Sequence, residues 1–300
     1  MEIERRLDSG GTPLVALETT LLVHGVPASS AMALRDELVS IVEEAGARAA
    51  LIGVVSGRAV VGMTPGELEG MLEAAAADPD SVPKANTANL GALCHLGSHA
   101  ATTVSATMEI AAASGVRVFA TGGLGGVHKG YGVRPDISAD LTALGRLPVA
   151  VVASGVKSLL DVAATREALE TLGVPVIGLR TRDFPAFYLR SLEGVGEVDA
   201  AFNEEASVGR FVSGELSRVN RGVVVANPIP AADELDRGAF DRWLSEAEER
   251  AEHAGATGRG ATPAVLAALH EVSGGVTLEA NLALVKSNAR AAGRIAAAMR

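Results

Sequence analysis

The chain has 300 residues, 48% of them hydrophobic and 21% charged, so it can bury the core of a large globular domain. Its 26 basic and 36 acidic residues give a net charge of −10, which argues against binding to nucleic acid or to an anionic membrane surface. Cys94 is the only cysteine, which excludes an internal disulfide. No apolar stretch approaches the roughly twenty residues that span a bilayer, and the N-terminal segment has no apolar leader, so we expect a cytoplasmic protein.

Short apolar runs alternate with longer helical patterns along most of the chain. Thr64, Pro65 and Glu67 form a capping box with proline at the first helical position, which marks one helix start clearly. Strands are predicted at 14–18, 49–55, 116–122, 149–154, 174–179 and 222–228, and helices at 29–46, 64–77, 104–114, 138–146, 158–172 and 203–219. Only helical patterns follow residue 230, at 234–255, 262–273 and 277–299.

This alternation predicts an α/β fold in which helices cover both faces of a mostly parallel sheet. The last third of the chain is predicted to be helical and to pack back onto that sheet. No linker, repeat or low-complexity segment interrupts the pattern. We therefore expect a single domain over residues 1–300, with 1–13 as an N-terminal extension and 231–300 as the helical portion.

The segment 121–140, TGGLGGVHKGYGVRPDISAD, contains six glycines between an apolar run and a helical pattern. It is not a dinucleotide fingerprint, because the sixth position counted from Gly123 is His128, and no lysine in the chain follows a glycine as a Walker loop requires. Glycine runs are commonly mobile surface connections. They also allow backbone N–H groups to approach an anion, and the polar residues at both ends of this loop favour a functional role.

Two ionisable residues follow predicted strands, where ligands bind in open α/β sheets. Glu18 ends the first strand, and burial there would raise its pKa and suit it to general acid or base catalysis; exposure just beyond the strand is the alternative. Lys157 is placed between a buried strand and the start of a helix, where lost hydration and the helix dipole would favour the nucleophilic neutral amine. Its alternatives are a solvated head group or an ion pair with Asp161.

Weaker signals surround these two residues. Asp136 and Asp140 follow Pro135 and fit either a hard-cation site, with one carboxylate and several waters, or the first turn of a helix capped by Ser138. Thr102 and Thr103 precede another helix and offer hydroxyl and backbone donors to a phosphate, to which Lys84 would add a positive charge. Together these residues predict a site for a phosphorylated small molecule, with an acid, an amine and a divalent ion.

The chain resembles the pseudouridine-5′-phosphate glycosidases, a family also named after indigoidine synthase A. The resemblance runs from about residue 14 to residue 298. It implies a three-layer α/β/α sandwich, a homotrimer, a Mn²⁺ cofactor (or another divalent cation such as Mg²⁺), and reversible cleavage of pseudouridine 5′-phosphate to uracil and ribose 5-phosphate. The blocks that carry it are VALETTLLVHGVP, TTVSATM, VFATGGLGGVHKG, DISADL, SGVKSLLD, GVPVIG and VVANPIP.

The resemblance also implies roles for individual residues. Lys157 falls on the family's nucleophile, Glu18 on the proton donor, and Asp136 on the metal ligand; His128 would assist opening of the ribose ring. Asn281, from the late helix, falls near the base. The other residues of the expected substrate site are Lys84, Thr103, Val104 (through its backbone), Thr121, Ser138, Ala139 and Asp140.

The implied chemistry explains why an amine is needed. Pseudouridine has a C–C glycosidic bond, so a pair of carboxylates of the usual glycosidase kind is not expected. Lys157 would attack C1′, Glu18 would protonate C5 of the base, and the sugar would remain as an imine until water releases it. The block Lys84–Asn89 departs from the family, because two arginines usually follow this lysine. A lyase or glycosidase acting on a related sugar phosphate, or a catalytically silent sugar-phosphate-binding protein, are the alternatives.

Overall fold

The computed structural model describes residues 2–7, 10–133, 135–255 and 261–299. Within these residues the central sheet has the strand order β1-β4-β3-β2-β7-β8-β11-β9-β10, and β5 and β6 form a separate small pair, with the bounds that follow. The strands are β1 (Ile3–Arg5), β2 (Leu14–Glu18), β3 (Arg48–Val55), β4 (Arg58–Val61), β5 (Lys84–Ala85), β6 (Ala101–Thr102), β7 (Val118–Ala120), β8 (Ala150–Ala153), β9 (Val176–Leu179), β10 (Ala200–Phe202) and β11 (Val223–Ala226).

Helices cover both faces of this sheet. They are α1 (Thr20–His24), α2 (Ala28–Glu44), α3 (Pro65–Ala77), α4 (Leu90–His95), α5 (Val104–Ala113), α6 (Ala139–Leu144), α7 (Val162–Thr171), α8 (Glu205–Val219), α9 (Arg237–His253), α10 (Ala261–Val272) and α11 (Val276–Ala298). Helix α11 packs on β2, β7 and β8 beside α2 and α8, whereas α5 packs on β2, β3 and β4 beside α6. None of the described helices is both long enough and apolar enough to cross a membrane.

The predicted three-layer α/β/α sandwich is confirmed. Central strands such as β8 and β11 are buried at every position, as expected for parallel strands covered on both faces. All neighbouring strand pairs of the described sheet are parallel except β3 and β4. The capping box of α3 forms, with Thr64 N donating to Glu67 Oε2 at 2.9 Å.

Strands β1 and β10, at the two edges of the sheet, and β4, next to β1, were absent from the sequence prediction. Residues Ser56 and Gly57 have φ angles of +47° and +77° and turn the chain between β3 and β4, as in a two-residue hairpin. Strand β1, in the segment expected to be an extension, pairs in parallel with β4 at the edge of the sheet. The N-terminal segment is therefore part of the sheet rather than an appendage.

One predicted boundary is wrong in a way that affects the site. The helix expected from residue 158 begins at Val162, with Asp161 as its N-cap accepting a hydrogen bond from Ala164 N at 2.9 Å. Lys157 therefore lies in a loop between β8 and α7 and not in the first turn of a helix. Asp161 serves as the cap of α7.

Candidate active site

The loops that follow β7 and β8 lie side by side and extend the sheet beyond its strands. Leu124 N donates to Gly155 O at 2.9 Å, and Lys157 N donates to Leu124 O at 3.1 Å. Thr121 N, at the start of the glycine loop, donates to Val152 O at 3.1 Å. This pairing fixes Lys157 beside the first residues of the glycine loop.

Glycines in these loops are required by close packing. A Cβ on Gly125 would lie 2.4 Å from Ser138 Oγ and 2.7 Å from Asp140 Oδ2. Gly155 has a φ of +70°, and a Cβ there would lie 1.7 Å from Pro185 O. The first part of the glycine loop is therefore a packed element, which excludes the interpretation of residues 121–126 as a mobile connection.

Asp140 joins this loop to helix α5. Its side chain is buried, with 5% exposure; Oδ1 accepts a hydrogen bond from Ser105 N at 3.0 Å and Oδ2 accepts one from Gly125 N at 2.9 Å. Ser138 is the N-cap of α6 and accepts from Asp140 N at 3.2 Å. Both carboxylate oxygens of Asp140 thus hold backbone, one at the start of α5 and the other in the glycine loop.

A cavity of about 330 Å³ opens at the carboxyl ends of β2, β7 and β8. Several residues that the sequence had assigned to the site do not line this cavity. They are Thr103, Val104, His128, Asp136, Ser138, Ala139 and Asp140. The walls do bring together Glu18, Lys84, Thr121, Lys157 and Asn281, whose positions range from 18 to 281 along the chain.

Burial and the charges of neighbouring residues shift the pKa values of Glu18 and Lys84. Burial raises the pKa of Glu18, while Lys157 and a hydrogen bond from the Thr121 hydroxyl oppose that shift. Glu18 is half-buried: one side faces the cavity, and protein packs around the other sides. Burial and the charge of Lys157 lower the pKa of Lys84 to about 8, against the opposing effect of Glu18. The cavity therefore combines a carboxyl group whose acid form is favoured by burial with an amine that loses its proton more easily than an ordinary lysine.

The predicted substrate residues outside the cavity walls lie next to the Lys84 strand or behind the glycine loop. Thr103 Oγ1 donates to Ala85 O at 2.9 Å, which ties the start of α5 to β5, and Val104 is the first residue of α5. Ser138 and Ala139 begin α6 behind Gly125.

His128 and Asp136 form a pair farther along the glycine loop. His128 N donates to Asp136 O at 3.1 Å, and Nδ1 lies 4.0 Å from Oδ2. The Asp136 side chain is 46% exposed, so its carboxylate is open to solvent. No group of three or more His, Cys, Asp or Glu ligands exists among the described residues. The donor set here therefore fits a cation only as one carboxylate whose other ligands are water or substrate.

Helix α11 anchors the glycine loop from the sheet side. Asn288 is fully buried; its Nδ2 donates to Thr121 O at 2.8 Å and to Gly122 O at 3.2 Å. Its Oδ1 accepts from Asn227 Nδ2 at 2.9 Å, next to β11. Asn288 was not predicted from the sequence. It holds the backbone of Thr121, the residue whose hydroxyl contacts Glu18.

Comparisons with known proteins identify the family. The family model described as indigoidine synthase A like protein matches residues 2–298. The chain belongs to this family. A relative from Salinispora tropica, named pseudouridine-5′-phosphate glycosidase, is 42% identical over 290 residues, covering 96% of this chain and 87% of the relative. A relative of the same name from Deinococcus radiodurans is 42% identical over 289 residues, covering 96% and 90%.

Solved structures agree in fold. An indigoidine synthase A-like protein from Thermotoga maritima superposes with a TM-score of 0.88 at 36% identity, covering 99% of this chain and 96% of its own. The prealnumycin C-glycosynthase AlnA, in complex with ribulose 5-phosphate, gives a TM-score of 0.87 at 32% identity, covering 100% and 97%.

In this member of the family, asparagines stabilise the loop after Lys84, where the sequence analysis noted the absence of two arginines. Asn89 Nδ2 donates to Lys84 O at 3.0 Å, and Asn86 N donates to Asn89 Oδ1 at 2.7 Å. Thr87 N donates to Ser105 Oγ at 3.4 Å, and the backbone N–H of the same serine donates to Asp140. The loop is therefore closed by its own side chains without the arginines.

Two histidines of the cavity wall were not found from the sequence. His24, in α1, donates from Nε2 to Val82 O at 2.9 Å, and burial together with Lys84 lowers its pKa. His270, in α10, is described below. The available signal for His24 was its position six residues after Glu18, inside the block VALETTLLVHGVP.

Proposed function

We propose that this enzyme reversibly cleaves the C–C glycosidic bond of pseudouridine 5′-phosphate, giving uracil and ribose 5-phosphate through a lysine–ribose imine. The observation that carries the proposal is one cavity walled by a buried acid, Glu18, two amines, Lys84 and Lys157, and the amide of Asn281. The names of the relatives that match nearly the whole chain support the substrate.

The covalent step uses the amine of Lys157. Its neutral nitrogen attacks C1′, the C1′–O4′ bond breaks, and the ring oxygen takes up a proton, which leaves an open-chain adduct. We propose that His128 assists this proton transfer. The hydrogen bond from the backbone N–H of Lys157 to Leu124 O supports the role of Lys157, because it fixes the lysine beside the glycine loop that carries His128.

Glu18 then supplies the proton that releases the base. Burial raises its pKa, which favours the acid form that donates the proton. Protonation at C5 lets the nitrogen lone pair form the C1′=N bond as the C1′–C5 bond breaks and uracil leaves. The Thr121 hydroxyl, which donates to Glu18, orients the carboxyl group for this transfer.

Recognition of the substrate divides between the two ends of the site. Lys84 would bind the phosphate as an ammonium, with Thr103 and the first-turn N–H of Val104 beside its strand, and Ser138, Ala139 and Asp140 would act on the ribose side. Asn281 would hold the base, because its buried Oδ1 has no hydrogen-bond partner among the described residues. An amide offers both an acceptor and donors, which matches the N–H and C=O groups of a uracil edge.

A divalent ion, Mn²⁺ or Mg²⁺, is proposed at Asp136. The open carboxylate and the nearby His128 support one protein ligand in a water-rich shell. Such an ion would supply positive charge toward the oxygens of the sugar phosphate.

Assembly and location are further proposals that rest on the family resemblance. A homotrimer is supported by the exposed apolar side chains of Tyr131, Val133 and Ile137, which lie in one loop segment beside Asp136. We place the enzyme in the cytoplasm. Sedimentation of the purified protein tests the trimer, and a monomer at micromolar concentration would contradict it.

The experiment that tests the function is uracil release from pseudouridine 5′-phosphate, with and without Mn²⁺. Borohydride added with ribose 5-phosphate should fix the sugar to Lys157, and Lys157→Ala should lose turnover by several orders of magnitude. Peptide mapping that finds the sugar on Lys84 would overturn the assignment of the nucleophile. Absence of uracil release by the native enzyme would overturn the function itself.

A second candidate is imine chemistry on a related sugar phosphate. The 32% identity to a C-glycosynthase solved with ribulose 5-phosphate favours it, as does the changed loop after Lys84. Trapping of the sugar without uracil release from pseudouridine 5′-phosphate would select this candidate.

A further inference from the structure

His270 lies in α10 on the wall of the same cavity, and no role follows for it from the family resemblance. Leu266 and Ala267, four and three residues earlier, line the cavity too, so one face of α10 points into it. From α11, Leu278 and Asn281 complete this part of the wall. This part of the wall is mostly apolar, whereas the other walls of the cavity carry Glu18 and the two lysines.

Buried hydroxyl groups fix the orientation of the His270 ring. Nδ1 lies 2.8 Å from Thr277 Oγ1, and Thr277 Oγ1 lies 2.9 Å from Ser273 Oγ. Thr277 and Ser273 are both buried. Nδ1 is thus occupied by Thr277, Nε2 is bonded to no described residue, and His270 lines the cavity.

The ring carries one N–H near neutral pH. Burial lowers the pKa of His270 below its ordinary value, so the imidazole is neutral with one donor and one acceptor. The Thr277 hydroxyl has one proton, with Nδ1 at 2.8 Å and the carbonyl oxygen of Leu269 at 3.3 Å. A relay in which Ser273 Oγ donates to Thr277 Oγ1 and Thr277 Oγ1 donates to Nδ1, the nearer acceptor, puts the ring proton on Nε2.

We propose that His270 is a specificity residue of the base subsite, with its Nε2–H donating to a carbonyl oxygen of the pyrimidinedione base. The proposal rests on the function proposed above and deepens it. Each N–H of uracil is flanked by a carbonyl, so the partner needed beside an acceptor such as Asn281 Oδ1 is a donor. The apolar side chains of Leu266 and Leu278 would contact the faces of the ring and leave these two polar groups to select its edge.

The test measures the synthetic direction, in which uracil and ribose 5-phosphate are varied separately. His270→Phe keeps a flat ring but removes the donor, and it should raise the KM for uracil about tenfold, the value of one good hydrogen bond. The KM for ribose 5-phosphate should stay unchanged, and the melting temperature should fall only slightly, because Thr277 Oγ1 keeps Ser273 Oγ and the Leu269 carbonyl as partners. His270→Gln restores an N–H near the position of Nε2 and should recover part of the loss.

The matched control is Glu271→Gln, an exposed neighbour on the same helix, which should leave both KM values unchanged. Equal KM values for uracil in the native enzyme and in His270→Phe would overturn the inference while leaving the proposed function intact. A rise in both KM values together with a lower melting temperature would also overturn it, because it would show that His270 only ties α10 to α11. If the native enzyme makes no pseudouridine 5′-phosphate, the function fails first and the inference with it.

Discussion

Replacement of Asn288 by alanine should destabilise the protein and slow catalysis by one mechanism, loss of the anchor of the glycine loop. Asn288 has 0% exposure, and its Nδ2 donates to Thr121 O at 2.8 Å. Thr121 also places the hydroxyl that donates to Glu18. The substitution therefore changes both the buried hydrogen-bond network and the position of the proposed acid.

The size of the effect depends on which groups lose all their partners. Gly122 O keeps its bond from Ser154 N at 2.9 Å, and Asn227 Nδ2 keeps Ser287 Oγ at 3.1 Å. Thr121 O, which has no other donor among the described residues, is left unsatisfied. One unsatisfied buried carbonyl costs about 1–3 kcal/mol, and the space left by the amide adds to it. We expect the free energy of unfolding to fall by about 3 kcal/mol.

Equilibrium unfolding in urea measures this change, with Ser287→Ala as the matched control. Ser287 is the preceding residue of α11 and loses one hydrogen bond, from Asn227, so its substitution should cost about 1 kcal/mol. The rate of uracil release should fall in Asn288→Ala and remain near native in Ser287→Ala. Equal stability of the two variants would refute the calculation. A stability loss with an unchanged rate would refute the link from Asn288 through Thr121 to Glu18.

Three further predictions concern the amine, the carboxylate and the backbone of the site. Because the pKa of Lys84 is about 8, its ammonium is lost as the pH rises through that value, and kcat/KM should fall there; Lys84→Arg should remove this fall, since a guanidinium stays charged. Asp136→Ala should abolish the activation of uracil release by Mn²⁺ without lowering the melting temperature in metal-free buffer, because the side chain is half-exposed; early melting would mean a structural role. Gly155→Ala should destabilise the protein to urea by about 3 kcal/mol or more, whereas Gly130→Ala, with a similar φ of +78° but open space, should cost only about 1 kcal/mol. Equal costs would exclude the contact with Pro185 O as the cause.

The sequence predicted the elements whose pattern is local. Strand β2 and the cap at Thr64 follow from adjacent residues, and both are present. The start of α7 was misplaced because the apolar run after Lys157 resembles a helix, whereas Gly155 at φ +70° turns the chain and Asp161 caps the helix later. Strand β4 was missed because it is short, although the Ser56–Gly57 pair was an available turn signal.

The parts of the site that escaped prediction depend on contacts between distant residues. Asn288 acts on Thr121, 167 residues away in the chain, so no local pattern points to it. His270 is one polar residue in an apolar helix face, a position that indicates nothing until the cavity on that face is known. Glu18, Lys84 and Lys157 were predicted from their positions in the sequence, and the family resemblance added Asn281. The structure places these four residues around one cavity. The assignment of each role to these four residues stays a prediction.

Helix α11 carries two asparagines with different contacts. Asn281 lines the cavity and Asn288 holds the glycine loop, seven residues apart and so about two helical turns along one face. The helix packs against α2, α8 and the sheet. A shift of α11 would move the proposed base contact of Asn281 and the loop anchor of Asn288 together. Among the described residues, no hydrogen bond joins α10 to the glycine loop. New base preferences should therefore arise by substitution on α10, at Leu266, Ala267 and His270, while α11 stays fixed.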